Sequence, residues 1–181
     1  MRARRLDNEW ALLEQLAAHN PHIIEGIRRE TQPDADLFRL ILHRTSALSP
    51  EFPHPVRESA SHDVMFRYPA YYPAVPIEAF LTRPVFHPNI HPENGFVCLW
   101  DRVSSGDTIL EALRKLQRVI CWELWNDHAD HVMQPEAVTW GREAKPLLPY
   151  EAVQVPEAIR REMTYAFRPE GFRKRLFVPS S

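Results

Sequence analysis

Flexible punctuation is scarce in this chain. Five glycines stand against seventeen prolines, so the connections are expected to be rigid and extended rather than long floppy linkers. Cysteine is nearly missing as well, with Cys98 and Cys121 the two thiols. The expected state is a reduced, cytoplasmic chain with both thiols free, and a single Cys98–Cys121 disulfide stays open as the alternative. There is no excess of either charge. The formal net charge is -2, which gives no bulk electrostatic case for nucleic acid or an anionic membrane. No apolar run approaches the length of a membrane span. The basic N-terminus leads into a polar amphipathic stretch and not into the apolar core of a signal peptide. No internal repeat and no low-complexity tract is visible.

What is present suffices for a folded domain. Apolar residues make up 44% of 181, enough for a core and inconsistent with wholesale disorder. Residues 4–19 predict a helix with Leu6, Trp10, Leu13 and Ala17 on one stripe, ended by Asn20-Pro21. Residues 22–30 and 37–48 predict two strands joined by a turn cluster, with Phe38, Leu40 and Leu42 facing one way. A proline-rich loop follows to residue 60. Two further strands are expected at 62–68, with Val64, Phe66 and Tyr68 on one face, and at 76–82. Residues 83–106 carry no periodicity, because Pro84, Pro88, Pro92 and Gly95 interrupt every candidate element; a loop this long in a compact domain is usually functional. Thr108-x-x-Glu111 is a capping box, opening a helix with Ile109, Leu113, Leu116, Ile120 and Leu124 on its buried stripe, widened by Leu110, Val119, Trp122 and Trp125. Cys121 falls inside it as a small packing hydrophobe. A polar loop at 126–131 precedes a short helix from Gln134-Pro135-Glu136 to Lys145-Pro146. The fold class is therefore α+β: an N-terminal helix, a four-stranded antiparallel meander, a site loop and a central helix. Residues 146–181 form a C-terminal extension, with a short helix around 156–166 and a basic, apolar end.

The stretch Tyr72 to Trp100 is the chemical centre. Thiol chemistry needs a nucleophile that ionises, a polar donor for developing negative charge, and a scaffold that holds both. Cys98 and Asn89 are the candidates. Two other assignments use the same residues. His87, His91, Cys98, His128 and His131 contain enough nitrogen and sulfur ligands for zinc, but the spacings match no compact zinc motif. Cys98 with His128 or His131, and Asp127 or Asp130 as orienter, has the residue types of a Cys-His hydrolase; against it, Cys98 precedes a loop and not a helix start, where such thiols are commonly activated.

Tyr72-Pro73-x-x-Pro76, His87-Pro88-Asn89-Ile90 and Asn94-Gly95-x-x-Cys98-Leu99, in that order, resemble the core of the ubiquitin-conjugating enzyme family. Ile120-Cys121 before the polar loop and Pro135-Glu136 after it resemble the same family independently. The resemblance covers roughly residues 4–145 and implies a ubiquitin-conjugating-like domain over 1–145, with 146–181 a divergent segment packed on or following it. It implies that Cys98 accepts a ubiquitin-like protein from an activating enzyme as a thioester and passes it to an acceptor amine or a ligase, with no cofactor and no metal. Asn89 would either donate to the oxyanion or hold the site loop, His87 would buttress the turn, Asp130 would orient the incoming lysine and His131 would act as base. Arg2, Arg4 and Arg5 on the first helix would dock the activating enzyme; read from the residues alone, they are a solvated helix start.

Two departures from the family stand out. One extra residue lies between Asn89 and Cys98, in the His91-Pro92-Glu93 turn. The family's tryptophan a short way beyond the cysteine is replaced by Trp100 directly after Leu99, followed by residues 102–106. Such divergence resembles the ubiquitin-conjugating-like proteins of bacterial conjugation operons, some of them linked to antiphage defence. The alternative function is a non-catalytic ubiquitin-conjugating-like binding module, which requires Cys98 to be inert.

Overall fold

The computed structural model describes residues 2–58, 61–100 and 106–160. In chain order the elements are α1 (Arg2–His19), β1 (Ile24–Thr31), β2 (Ala35–His43), β3 (Ala47–Leu48), β4 (Arg57–Glu58), β5 (Ser61–Pro69), β6 (Glu78–Leu81), β7 (Phe96–Val97), α2 (Ile109–Ile120), a single 3-10 turn (Ala129–His131) and α3 (Pro135–Ala144). The class is α+β with an N-terminal helix. The main sheet is antiparallel throughout, in the order β1-β2-β5-β6-β7, and β3 and β4 pair as a separate ribbon.

The alternation in β2 and β5 sets the register. Phe38 stands opposite Phe66 and Leu40 opposite Val64, so the apolar residues of both strands share one face. That face is buried by Leu6, Leu12, Leu13 and Leu16 of α1 and by Ile109, Leu113, Leu116 and Ile120 of α2. α2 starts where the capping box places it: the Thr108 backbone N–H donates to the Glu111 carboxylate at 3.0 Å, and Thr108 hydroxyl and Glu111 carboxylate are paired.

Four expectations are corrected. The sheet has five strands, not four, because β7 forms inside the stretch read as strandless. The strand expected over 37–48 breaks after His43, where Arg44 takes φ 53, and resumes as β3. The buried stripe of α1 is rotated: Trp10 and Ala17 are half-buried, while Glu9, Leu12 and Leu16 are buried. α2 also ends at Ile120. Trp122 then takes φ 61, a left-handed position that glycine normally occupies. Burial of its indole against Phe86, Trp140 and Ala137 offsets that cost.

Residues 146–160 cover one end of the domain. Val153, Val155 and Ile159 join the main core. Irregular backbone cannot satisfy its own polar groups, and two buried side chains do so here. Gln117 donates to the Glu151 carbonyl at 2.8 Å, and Asn20 exchanges two bonds with the Gln154 backbone, at 3.0 and 2.8 Å. Residues 157–160 are helical. The rest of the helix expected around 156–166, and the basic, apolar end, lie outside the described residues.

Glu9 joins the two helices. Its side chain has no exposure, and it accepts from the Ile109 backbone N–H at the start of α2 at 2.8 Å, from Arg5 at 2.9 Å and from the Tyr72 hydroxyl at 2.5 Å. Burial holds its pKa above the usual carboxylate value, and the bonds from Tyr72, Ile109 and Arg5 offset this only in part. A carboxylate at a helix N-terminus is favourable, and here it also neutralises Arg5. Glu9→Ala would leave Arg5 and the Ile109 N–H without their acceptor, so it is expected to lower stability by about 3–5 kcal/mol in urea unfolding. A loss below about 1 kcal/mol, the size of an ordinary point mutation, would show that this network does not hold α1 to α2.

Candidate functional site

The site is assembled on β7 and the turn before it. Gly95, at φ 70, lets the chain double back, and a Cβ there would lie 1.9 Å from the Leu81 carbonyl oxygen. The Leu81 N–H instead donates to the Gly95 carbonyl at 2.9 Å, pinning β7 to β6. The His91 ring caps the same turn, its Nδ1 accepting from the backbone N–H of Glu93 at 3.2 Å. Ile90 then bridges Val97, and the Cys98 N–H donates to the Asn89 carbonyl at 2.9 Å. Two sequence segments nine residues apart are thereby laid side by side.

Asn89 is buried, and its carboxamide faces the 126–131 loop. Nδ2 donates to the carbonyls of Asn126 at 2.7 Å and His131 at 2.9 Å, and Oδ1 accepts from the Asn126 N–H at 2.7 Å. Both amide donors are therefore committed. Of the two roles open to Asn89, holding the loop is the one this geometry displays. Backbone bonds from Met133 and Gln134 to the Pro88 carbonyl, at 2.8 and 3.3 Å, close the same junction.

The loop delivers an imidazole to the thiol. His131 Nδ1 lies 3.0 Å from Cys98 Sγ. Both side chains are half-buried, so the pair is open to solvent on one side. Asp130 is exposed in the same 3-10 turn and makes no hydrogen bond or ion pair among the described residues. His128 is exposed, and Asp127 is taken by Arg142 at 2.7 Å, which holds its carboxyl below the usual range. Sequence reasoning thus named the residues that meet, Cys98, Asn89 and His131; it raised a pairing of thiol and ring only in the hydrolase alternative, where His128 was an equal candidate.

His87 sits beneath. It is fully buried against Trp122, with ring centroids 4.8 Å apart, and its Nδ1 accepts from the Asn89 N–H at 3.1 Å. Burial pushes its pKa down to about 3, against the opposing pull of the Leu124 backbone. It is a neutral support and not a proton carrier. Trp122 is itself fixed by its indole N–H to the Phe86 carbonyl at 3.0 Å, and Gly141 leaves room for its ring. Gln134 was missed as a site residue. Buried at the start of α3, it donates to the Val85 and Ile90 carbonyls at 2.9 and 2.8 Å and so clamps both ends of the His87 turn. A polar residue just before a helix-opening proline was the available signal, and it reads equally well as a plain helix start.

The other candidates are dispersed. Cys121 is buried, donates to the Ser46 carbonyl at 3.2 Å, and has its thiol pushed up to about 12 by burial. No disulfide links it to Cys98. Among the described residues no cluster of three or more His, Cys, Asp or Glu side chains is placed to hold a metal ion. Arg5 is taken into the fold by Glu9, Tyr72 and the Asp107 carbonyl, and Arg2 pairs with Asp36 at 2.9 Å, whereas Arg4 is exposed. Trp100 donates to the Ile77 carbonyl at 2.7 Å and carries Lys115 on its ring face at 4.1 Å. Of residues 102–106, which follow Trp100 at the departure from the family, 102–105 lie outside the described residues, as does residue 101. No helix among the described residues is long and apolar enough to cross a membrane.

Comparison with models of known protein families finds no match, and no functionally curated protein matches the chain.

His87 makes a pH prediction. A buried base held neutral loses native stability as pH falls below its unfolded value, because only the unfolded chain takes the proton. From an unfolded value of about 6.5, His87 is expected to cost roughly 2 kcal/mol at pH 5 relative to neutral pH. In urea melts, wild type should lose more unfolding free energy between pH 7 and pH 5 than His87→Gln does, by about that amount. Equal pH dependence would mean that His87 is not held neutral.

Proposed function

We propose that this chain is a ubiquitin-conjugating-like carrier: Cys98 accepts a ubiquitin-like protein from an activating enzyme as a thioester and passes it to an acceptor amine or a ligase. One observation carries the reading. Cys98, in its Asn94-Gly95-x-x-Cys98 setting, lies beside Asn89 of the His87-Pro88-Asn89 turn, and Asn89 in turn holds the loop bearing His131. The α+β order, with the helix first, an antiparallel sheet, a turn-rich site and then a capped helix, is compatible with that family.

Exchange of an acyl group between two thiols changes free energy little, so a carrier needs access and positioning more than a driving force. A half-buried thiol beside the rigid turn offers both. The binding-module alternative needs an inert Cys98, and Cys98 is not sequestered as Cys121 is. Docking of the activating enzyme on α1 would rest on Arg4 and on the half-exposed part of Arg2, since Arg5 serves the Glu9 network. In this reading an acceptor lysine would approach past Asp130, which is exposed on the 3-10 turn that also carries His131.

A second reading has its own observation. The 3.0 Å contact between Cys98 and His131 is the pairing a thiol hydrolase uses. No carboxylate orients His131 among the described residues' hydrogen bonds; Asp127, the other loop acid, is turned to Arg142. The carrier reading is therefore preferred.

The test is a charging assay with ATP, a matched activating enzyme and its ubiquitin-like protein, run on gels with and without reductant. A higher-mass band that reductant abolishes, that Cys98→Ala removes and that Cys121→Ala leaves intact is expected. If the activating enzyme charges itself but no such band forms, the carrier reading fails and the binding module takes its place. A band lost in folded Cys121→Ala but kept in Cys98→Ala would move the chemistry to the other thiol.

A further inference from the structure

We infer that His131 is a built-in base for Cys98, taking the thiol proton before attack, so that the cysteine is activated by its own chain and not by a partner. The inference rests on the carrier reading for its biological step, but its chemistry stands on geometry alone. Nδ1 at 3.0 Å from Sγ is within contact for a shared proton, either S–H to nitrogen or N–H to thiolate. The backbone that carries the ring is held at both ends. The carbonyl of its own residue is held by Asn89, and the His131 N–H donates to the His128 carbonyl at 2.9 Å. A thiol reacts as the thiolate, and a neighbouring imidazole is one of the arrangements that generates it near neutral pH.

The other described titratable groups around the site are engaged elsewhere or exposed. On the loop, Asp127 is paired with Arg142, while His128 and Asp130 are exposed. From α2, Lys115 lies over the Trp100 ring. From beneath, His87 is neutral and bonded to the Asn89 backbone. His131 is the titratable group that these contacts place on sulfur.

The step balances without any further reagent. The S–H bond of Cys98 breaks, its electron pair stays on sulfur and the proton passes to Nδ1. The thiolate adds to the carbonyl carbon of the activating enzyme's thioester. The carbon–sulfur bond to that enzyme then breaks, and its departing thiolate takes the proton from the imidazolium. Neutral His131 is left beside the new thioester, free to accept a proton from an attacking amine.

Alkylation by iodoacetamide tests this on the full-length protein with no partner present. The modified Cys98 peptide is quantified by mass spectrometry from pH 5.5 to 10, for wild type and His131→Gln, after matched thermal melts show both folded. Wild type is expected to react at least about tenfold faster at pH 6, equivalent to one unit on the pH axis, with two inflections in its profile. His131→Gln should show one inflection, that of an ordinary thiol. A purely structural role for His131 would change accessibility and scale the whole curve without moving its inflections, which would overturn the inference; so would superimposable profiles. The charging assay reports separately. A His131-dependent profile with no charging would retain the base and reject the carrier, and charging with superimposable profiles would do the reverse.

Discussion

Asn89 directs nearly all of its hydrogen-bonding capacity at one loop: two bonds donated through Nδ2, one accepted through Oδ1. Its own backbone is held just as closely, with the N–H on the His87 ring and the carbonyl on the Cys98 N–H. A single buried residue thus links the turn below, the thiol beside it and the loop that bears the imidazole. Each neutral bond contributes only about 0.5–1.5 kcal/mol net. The larger penalty is for leaving such a buried group unmet, and that penalty makes the arrangement all-or-none. If Asn89 lost the loop, its carboxamide would be stranded, the Asn126 N–H would lose its acceptor, and His131 would no longer be held to the sulfur.

Two different kinds of burial support that joint. Below it, aromatic packing predominates: Phe86, Trp122 and Trp140 form a small core separate from the main one, and His87 is clamped against it. Further away, a buried charge predominates. Glu9 lies where the apolar stripe of α1 would otherwise continue, and it takes the first N–H of α2. Surface pairs such as Arg39–Glu30 and Arg29–Asp7 contribute at most about 1 kcal/mol each. Glu9 is different because solvent cannot replace its partners. The price of such a buried charge is desolvation, and what it gives is a fixed relation between the two helices that cover the sheet.

Long periodic patterns were legible in the chain, and short or cooperative features were not. The β2 and β5 faces followed from alternation alone, and the start of α2 from its capping box. β7 is two residues long, too short to display a period, and it exists because Gly95 folds back onto Leu81. Arg44 breaks a strand at a residue whose type gives no warning; the Thr45–Tyr150 bridge and the bond from the Glu151 N–H to the Arg44 carbonyl show that tertiary contacts from residues 148–155 decide it. Glu9 was invisible for a related reason. A charged residue on an apolar stripe is normally assigned to solvent, and its partners lie 63 and 100 residues away. At the site, residue types named the thiol, the amide and the ring. Which nitrogen met which sulfur, and that both amide hydrogens of Asn89 were already engaged, depended on a loop closure that no local pattern encodes.

The engagement of Asn89 bears on how a carrier built this way would stabilise an oxyanion. A preorganised donor is worth about 2.7–4 kcal/mol in barrier height, against about 1–3 kcal/mol for leaving the abandoned buried carbonyl unmet. Energy therefore permits Nδ2 to leave a carbonyl and turn to the substrate. Connectivity limits when it can do so. The bond to the His131 carbonyl restrains the base, and thiol deprotonation must come before any oxyanion exists. Holding the ring and meeting the oxyanion would compete for that donor, because His131 still has to return the proton to the departing thiolate after the oxyanion has formed. The alternative release, from the Asn126 carbonyl, would keep the ring in place throughout and loosen only the far end of the loop. Because Asn126 also donates to Asn89 Oδ1, the loop would stay tethered during that rotation, so this is the less disruptive of the two ways to free a donor.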